Sequence, residues 1–599
     1  MTSKIEKTVE LAQTEGVETA FRFCLSYLGF RLFGRRLLSI EDICYQKWRR
    51  RNTPTEADFE RMRAEVKRFD YSPLISVVMP VFDVDAAFLR RAVESVERQI
   101  YPNWELCIAD DGSTRSETKA ELERLSQVSD RIRIRFLEGN TGISCASNAA
   151  IELAGGEFIA LLDHDDELSP DALFENVKLL NSHRDTDMIY SDEDKLDERG
   201  RHVEVFLKPD WSPELLLSNM YTCHLGVYRK SVIDVIGGFR EGFEGAQDYD
   251  LVLRLTERTG RIRHIPRILY HWRHSPGSTA SSYSGRGAGH SGMKAPAECS
   301  LKALREAMQR RGIDGRVEPG LFEGSYRVRP MVKDNPLVTI IIPTRDNLSL
   351  LEKCIRSVDE NDYRNFEVIV VNNRSEKPET IEFLGRLASQ KNTQVIAYDK
   401  PYDFSAINNL AANRARGSHL LLLNSDTEAV RPDWLTAMLE VAQIPGVAVV
   451  GSKLLYPDDT VQHAGIVLWH CGVAGHLHSR LHRDNHGYFG MADAMRNCSA
   501  VTAACMLIKK SIFDELGGLD PELPIAYQEV AFCLRAWECG YRTVYTPFSL
   551  LYHIESAVTG PRVDKPDSRV FQRKWENRCP SDPFYNPNFP RGSLNFRLR

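Results

Sequence analysis

The 599-residue chain has no apolar run approaching the roughly 18 residues needed to cross a bilayer, so no membrane-spanning helix is expected. Met1 to Gly16 is polar and acidic, unlike a secretory leader, which predicts no cleavable signal. The thirteen cysteines are odd in number and show no C-x-x-C spacing, arguing against a disulfide framework or a zinc module and for a reducing compartment. A net charge of −6 gives no reason to expect a nucleic-acid partner. Neither a G-x-x-x-x-G-K-[ST] phosphate loop nor a nucleophile elbow occurs. What remains, at 42% hydrophobic and 27% charged residues, is a globular chain long enough for two or three cores.

What is present is a pattern that occurs twice. Pro80-Val81-Phe82-Asp83, Ser144, Asn148, Asp163-His164-Asp165, Gln247-Asp248 and Tyr270-His271 return as Pro343-Thr344-Arg345-Asp346, Ser405, Asn409, Asn424-Ser425-Asp426, Gln528-Glu529 and Tyr552-His553. The offset is 263 at the proline, 261 from Ser144 to Asp165, 281 at Asp248 and 282 at His271. Polar residues keep such register through duplication of a domain, with one segment inserted.

Ile75 to Val81 is a short β-branched apolar run, as a strand buried on both faces requires. Trp104 to Ala109, Arg131 to Leu137 and Glu157 to Leu162 read as further strands, with a helix over Cys145 to Ala154. The second copy repeats them at Val338 to Ile342, Phe366 to Val371, Gln394 to Ala397 and His419 to Leu423. Alternating strands and helices predict an α/β fold with doubly wound, mainly parallel sheets. Ligands bind such sheets beyond the carboxyl ends of their strands. Those ends carry Asp83, Asp110-Asp111 and Asp163 to Asp166. Asp163 and Asp165, two positions apart at a strand end, suit a hard divalent cation with oxygen ligands.

These motifs together resemble the family 2 glycosyltransferases of the GT-A fold. The likeness rests on residues 80–83, Ala-Asp-Asp-Gly-Ser-Thr (109–114), Gly-Ile-Ser-Cys-Ala-Ser-Asn (142–148), Leu-Leu-Asp-His-Asp-Asp (161–166) and Gln-Asp-Tyr-Asp-Leu (247–251), and covers 73–280 and 336–560. The tandem arrangement, with Val461-Gln462-His463-Ala464-Gly465 and Asp582-Pro583-Phe584-Tyr585-Asn586-Pro587-Asn588, resembles bacterial proteins that build O-antigen and related surface polysaccharides. The resemblance implies a nucleotide-sugar donor, a glycan or lipid-linked glycan acceptor, and Mn²⁺ or Mg²⁺. It implies that Asp83, Asp111 and Asp163 contact the nucleotide, Asp165 and His271 hold the metal, and Asp248 takes the acceptor proton. The matching second set is Asp346, Asn373 and Asn424 for the nucleotide, Asp426 and His553 for the metal, and Glu529 as base. Asn373, Asn424 and Ala531 stand where the first copy has Asp111, Asp163 and Asp250, which predicts a less acidic second pocket. The alternative is a degenerate second domain that only binds glycan.

The expected organisation is an N-terminal helical region (1–72), a first GT-A domain (73–292), a helical linker (293–335), a second GT-A domain (336–560) and a tail (561–599) wrapping over the second domain. Residues 19 to 51 mix eight basic residues with aromatic and aliphatic ones. That mixture suits either a helix at the cytoplasmic face of an anionic inner membrane or a hairpin packed on the first domain. Ser275 to Gly292 reads as a mobile loop. Six histidines within 463–486 lack zinc-like spacing and suggest an acceptor loop, with His463 and His476 on sugar hydroxyls. Ser191-Asp192-Glu193-Asp194 fits either the acceptor wall or a solvated acidic turn. Gly237-Gly238 and Gly517-Gly518 read as helix ends. A nucleotidyltransferase would carry a Gly-rich basic loop after its first strand, which Val81 to Asp85 lacks.

Overall fold

The computed structural model describes residues 39–274, 294–469, 472–554 and 565–590, with 592, 594 and 596–598. The expected mobile loop and most of the basic N-terminal segment therefore lie outside the described residues.

The first sheet is built from β1 (Ile75–Val81), β2 (Trp104–Asp110), β3 (Ile132–Phe136), β4 (Phe158–Leu161), β5 (Glu167–Leu168), β6 (Met188–Leu196), β7 (His202–Phe206), β8 (Gly226–Arg229) and β9 (Ile262–Arg273). Its order is β3-β2-β1-β4-β8-β6-β9-β5, with β7 beside β6. The first four strands of that order run parallel, with the apolar β1 and β4 at the centre and the alternating Ile-Arg-Ile-Arg-Phe of β3 at the edge. β8 enters antiparallel between β4 and β6, so the sheet is mixed.

The second sheet repeats the order strand for strand: Thr393–Ala397, Phe366–Asn372, Val338–Thr344, His419–Leu423, Cys505–Lys509, Val447–Leu455, Arg542–His553 and Thr427–Ala429. The duplication is thus structural as well as sequential. Helix Lys294–Arg310 opens the linker, but a hairpin of Gly315–Pro319 and Tyr326–Pro330 follows it. The hairpin's alternation is too short to separate from a loop by pattern alone.

The two sheets share one apolar core, which takes in Val78 and Tyr190 from the first and Val338 and Leu421 from the second. Phe206 stacks on Phe489 with ring centres 3.9 Å apart. The buried Glu214 carboxylate meets the Arg542 guanidinium at 2.8 Å.

The tail first packs on the second domain, where the Asp567 carboxylate accepts from the Ile525 and Ala526 amides. It then crosses to the first domain, a difference from the expectation that it covers only the second. There Asn586 Nδ2 donates to both Asp192 oxygens, at 3.1 and 2.9 Å, and to the Lys208 carbonyl at 2.9 Å. Asn588 Nδ2 reaches the Pro266 carbonyl at 2.8 Å. Asp192 is fully buried and acceptor-only, so the amide supplies donors that water cannot.

Candidate active sites

Asp83 follows β1 with φ 43°, a left-handed conformation that aims its carboxylate across the sheet end. Its oxygens accept from the Thr114 amide (2.6 Å), the Arg115 amide (2.9 Å) and Thr114 Oγ1 (2.8 Å). The Arg115 amide is the main reason the carboxyl sits below its ordinary range. Asp346 repeats the device, also at positive φ, with the Glu376 and Lys377 amides at 2.8 Å. Asp111 accepts from the Thr141 and Gly142 amides at 2.7 and 2.9 Å. Asn373 inverts that polarity: its Nδ2 donates to the Tyr398 and Lys400 carbonyls at 3.0 and 2.9 Å. An acid exchanged for an amide goes with a change from backbone donors to backbone carbonyls as its partners.

The acidic loop after β4 is anchored from below. Asp166, which lacks any exposed surface, accepts from Tyr270 Oη at 2.6 Å and the Arg273 amide at 2.7 Å. Burial pushes its carboxyl well up, and the charges of Asp165 and Asp163 push it further. The Asp163 amide donates to Tyr270 Oη at 3.2 Å, and the Asp165 carbonyl accepts from Arg273 Nε at 2.8 Å. His271 lies in register with Glu167, two positions after Asp165.

Asp248 occupies the first turn of helix Gln247–Thr256, whose amide end favours an anion. Burial pushes its carboxyl up to about 6; His224 opposes the rise and the Asp163 charge adds to it. The His224 and Asp163 charges are thus both felt at Asp248. The His224 ring stacks on Tyr270 at 4.5 Å, and its backbone is fixed by Glu193 Oε2 on the amide (2.8 Å) and buried Lys208 on the carbonyl.

In the second copy, Glu529 begins helix Gln528–Glu538, and burial pushes its carboxyl up to about 7. Its Oε2 is buried without a hydrogen-bond partner. His553 Nε2 lies 3.2 Å from both Asp426 Oδ1 and Asn424 Nδ2, while its Nδ1 lies 2.6 Å from Gln462 Oε1. Gln462 Oε1 can only accept, so the ring donates its Nδ1 proton there and turns Nε2 toward the Asp426 carboxylate. An imidazole nitrogen and a carboxylate facing one another are a donor set that fits a divalent metal ion.

Several sequence readings change. Asp250 does not face the pocket: it is buried between Arg240 and Arg254, with Arg254 Nε at 2.8 Å. Ala531 in its place leaves the matching Arg535 with a buried, unpartnered Nε, so this exchange does not make the second pocket less acidic. Ser191 to Asp194 is neither a turn nor solvated; it lies within β6 and is buried throughout. Asp194 lies between His202 Nδ1 (2.7 Å) and His271 Nδ1 (2.6 Å) and also accepts from Tyr45 Oη. These histidines and Asp194 bring three candidate ligand atoms within 4.8 Å of one another. His463 is buried with Nδ1 2.9 Å from that of His476, and His478 stacks on Phe596. Burial pushes the His476 ring down to about 4, and His463 and His478 well below their usual range. His463 and His478 are core groups that cannot meet solvent-borne sugar, and His470 lies outside the described residues.

Ser144, Asn148 and their repeats hold the pocket together. Asn148 exchanges hydrogen bonds with the Phe239 amide and carbonyl, both at 2.8 Å, and Asn409 does the same with Leu519 at 2.8 and 2.9 Å. Gly238 sits under Asn148 at φ +65°, where a Cβ would lie 2.4 Å from Oδ1. Its role goes beyond ending a helix.

The model of Glycosyl transferase family 2 matches residues 76–237 and again 339–517. The chain belongs to this family. An uncharacterized protein of Sinorhizobium fredii is 43% identical over 88% of this transferase chain and 59% of its own length. The O-antigen biosynthesis protein RfbC of Myxococcus xanthus is 37% identical over 89% of the chain and 42% of its own length. The family 2 chain thus spans about half the length of these relatives. Among solved structures, S. aureus TarS 1-349 in complex with UDP-GlcNAc shares 21% identity over 39% of this chain and 65% of its own, with a TM-score of 0.32.

Proposed function

We propose that the chain transfers sugars from nucleotide-sugar donors to a growing bacterial surface glycan, using two active sites that each invert the anomeric centre. The observation that supports this reading is that both copies carry a buried helix-start carboxyl, raised to about 6 at Asp248 and about 7 at Glu529, and a strand-end acidic loop followed by a histidine on the penultimate strand of the sheet order. The name of the Myxococcus xanthus relative supports the glycan class.

In each pocket the base accepts the acceptor hydroxyl's proton while that oxygen attacks the anomeric carbon and the nucleoside diphosphate departs. A carboxyl titrating near neutrality suits this role, because it is ionised at working pH yet still basic. One displacement inverts the centre without a covalent sugar–enzyme intermediate. Asp83, Asp111 and Asp163, with Asp346, Asn373 and Asn424, line the donor side, the first of each set by shaping the loop that meets the nucleotide. Asp165 with His271, and Asp426 with His553, would hold Mn²⁺ or Mg²⁺, which as a Lewis acid offsets charge on the leaving diphosphate.

A donor screen with linkage analysis tests the reading. Asp165→Ala and Asp248→Ala are each expected to remove one linkage, and Glu529→Ala another. Near-wild-type transfer by the first two would defeat the site assignment. A second reading, in which the second domain only binds glycan, draws on Asn424 at the place of Asp163. It requires Glu529→Ala to leave every linkage intact. We place the enzyme at the cytoplasmic face of the inner membrane, touching it through residues 1–51; unchanged binding to anionic vesicles after their deletion would refute this. Among the described residues no helix is long and apolar enough to cross a membrane. Helix Ile40–Asn52 packs on the first domain through Tyr45, with Arg50 and Arg51 exposed.

A further inference from the structure

The two site histidines are braced from behind by different chemistry. His271 Nδ1 lies 2.6 Å from Asp194 Oδ1, a carboxylate with no exposed surface. His553 Nδ1 lies 2.6 Å from Gln462 Oε1, a neutral amide. Both partners are acceptors, so each ring donates its Nδ1 proton to the brace and turns Nε2 away from it. A histidine that binds metal generally donates its other ring N–H to such a partner, which fixes the ring and raises its basicity.

The braces come from different strands. Asp194 lies beside His271 in the ladder, whereas Val447–Leu455 ends with Leu455 beside Tyr552, one residue short of His553, and Tyr456 follows it. No carboxylate can reach His553 from that position, and Gln462 on Val461–His463 replaces it. Asp194 is itself fixed by His202 Nδ1 at 2.7 Å and by Tyr45 Oη from helix Ile40–Asn52. This gives the Val-Gln-His-Ala-Gly sequence a role: its glutamine orients the histidine of the second pocket.

We propose that Asp194 and Gln462 are positioning residues that fix His271 and His553 for a divalent cation, and that the charged brace makes the first site bind that cation more tightly than the second. This rests on the assignment of both histidines as metal ligands under the proposed function. A carboxylate behind the ring adds a full negative charge facing the cation; an amide adds only a dipole.

The test titrates the full chain with Mn²⁺ alone and follows free Mn²⁺ by electron paramagnetic resonance. Asp426→Ala isolates the first site and Asp165→Ala the second. In the first background, Asp194→Asn is expected to weaken binding about tenfold or more, and Tyr45→Phe to weaken it less. In the second, Gln462→Glu is expected to tighten binding severalfold. Thermal unfolding shows whether each variant is folded; should Asp194→Asn not fold, Tyr45→Phe and Gln462→Glu decide the matter. If His271→Ala weakens binding while Asp194→Asn and Tyr45→Phe do not, the brace is refuted and the ligand assignment survives. If His271→Ala changes nothing, or the wild type binds no Mn²⁺, the assignment itself falls. Equal losses in His202→Gln and His271→Ala would place the cation among Asp194, His202 and His271, and would also overturn the brace.

Discussion

A single carboxyl group shows how activity and stability oppose each other in this molecule. Asp248 titrates near 6 in the fold, against about 4 in an unfolded chain. The stability its neutral form confers is complete below about pH 4 and is lost as pH rises through about 6. Asp248→Asn should therefore raise the stability of the first domain at pH 8 by roughly 1–2 kcal/mol, read as a higher unfolding midpoint, while removing its linkage. Under the proposed function the ionised carboxylate is the working base, so kcat/KM for that linkage should fall as pH drops below about 6. Asp250 gives the opposite case. Asp250→Ala strips the buried Arg254 of its carboxylate, while Arg240 keeps Glu306 at 2.7 Å, and should cost about 3 kcal/mol, with KM for the donor unchanged in whatever fraction stays folded. The repeated motif made Asp165, Asp248 and their counterparts legible in the sequence. His224 was not, and the roles of Asp194 and Tyr270 were not, because they lie in partners distant in sequence: β6 meets β9, and the segment entering β8 places His224 over Tyr270. Asp250 misled for the same reason. It lies two residues from Asp248 on a helix, and that spacing puts the two on different faces.

At the level of elements, the strands read best were those with unbroken apolar sequences; β6, buried throughout but carrying Ser191 to Asp194, was not among them. Ile75–Val81 and His419–Leu423 fall where the apolar runs predict them, because a strand enclosed on both sides has no polar face to blur its limits. β8 was missed: four residues carry no period that separates a strand from a turn. The clamp from helix Ile143–Leu153 to the segment before Asp248 is the element-scale device that presents the base. Gly238→Ala should collide with Asn148 and cost about 1–3 kcal/mol, and Gly518→Ala should do the same against Asn409, where a Cβ would meet Oδ1 at 2.6 Å. Hydrogen exchange would localise the loss to the loops preceding helices Gln247–Thr256 and Gln528–Glu538. Uniform weakening of the whole chain would contradict the clamp.

For the molecule as a whole, tandem domains were legible and their union was not. The sequence shows two copies, but a shared core and a returning tail depend on surfaces that meet only in three dimensions. Asn586→Ala removes the amide that satisfies Asp192 and should loosen the union. Limited proteolysis between the domains and a larger radius of gyration would report it, and Glu214→Ala, which strips Arg542 of its carboxylate, should add to the effect. An unchanged digestion pattern in the double variant would show that apolar packing alone joins the halves.

The tail crossing also carries a kinetic meaning. Under the proposed function, two catalytic pockets joined through one core keep a constant separation, and a nascent saccharide is not passed along by the swing of a hinge. Each handover requires the chain end to let go of one pocket and settle in the other, so dilution with competing acceptor should shorten the products, whereas a hinged pair would keep hold of them.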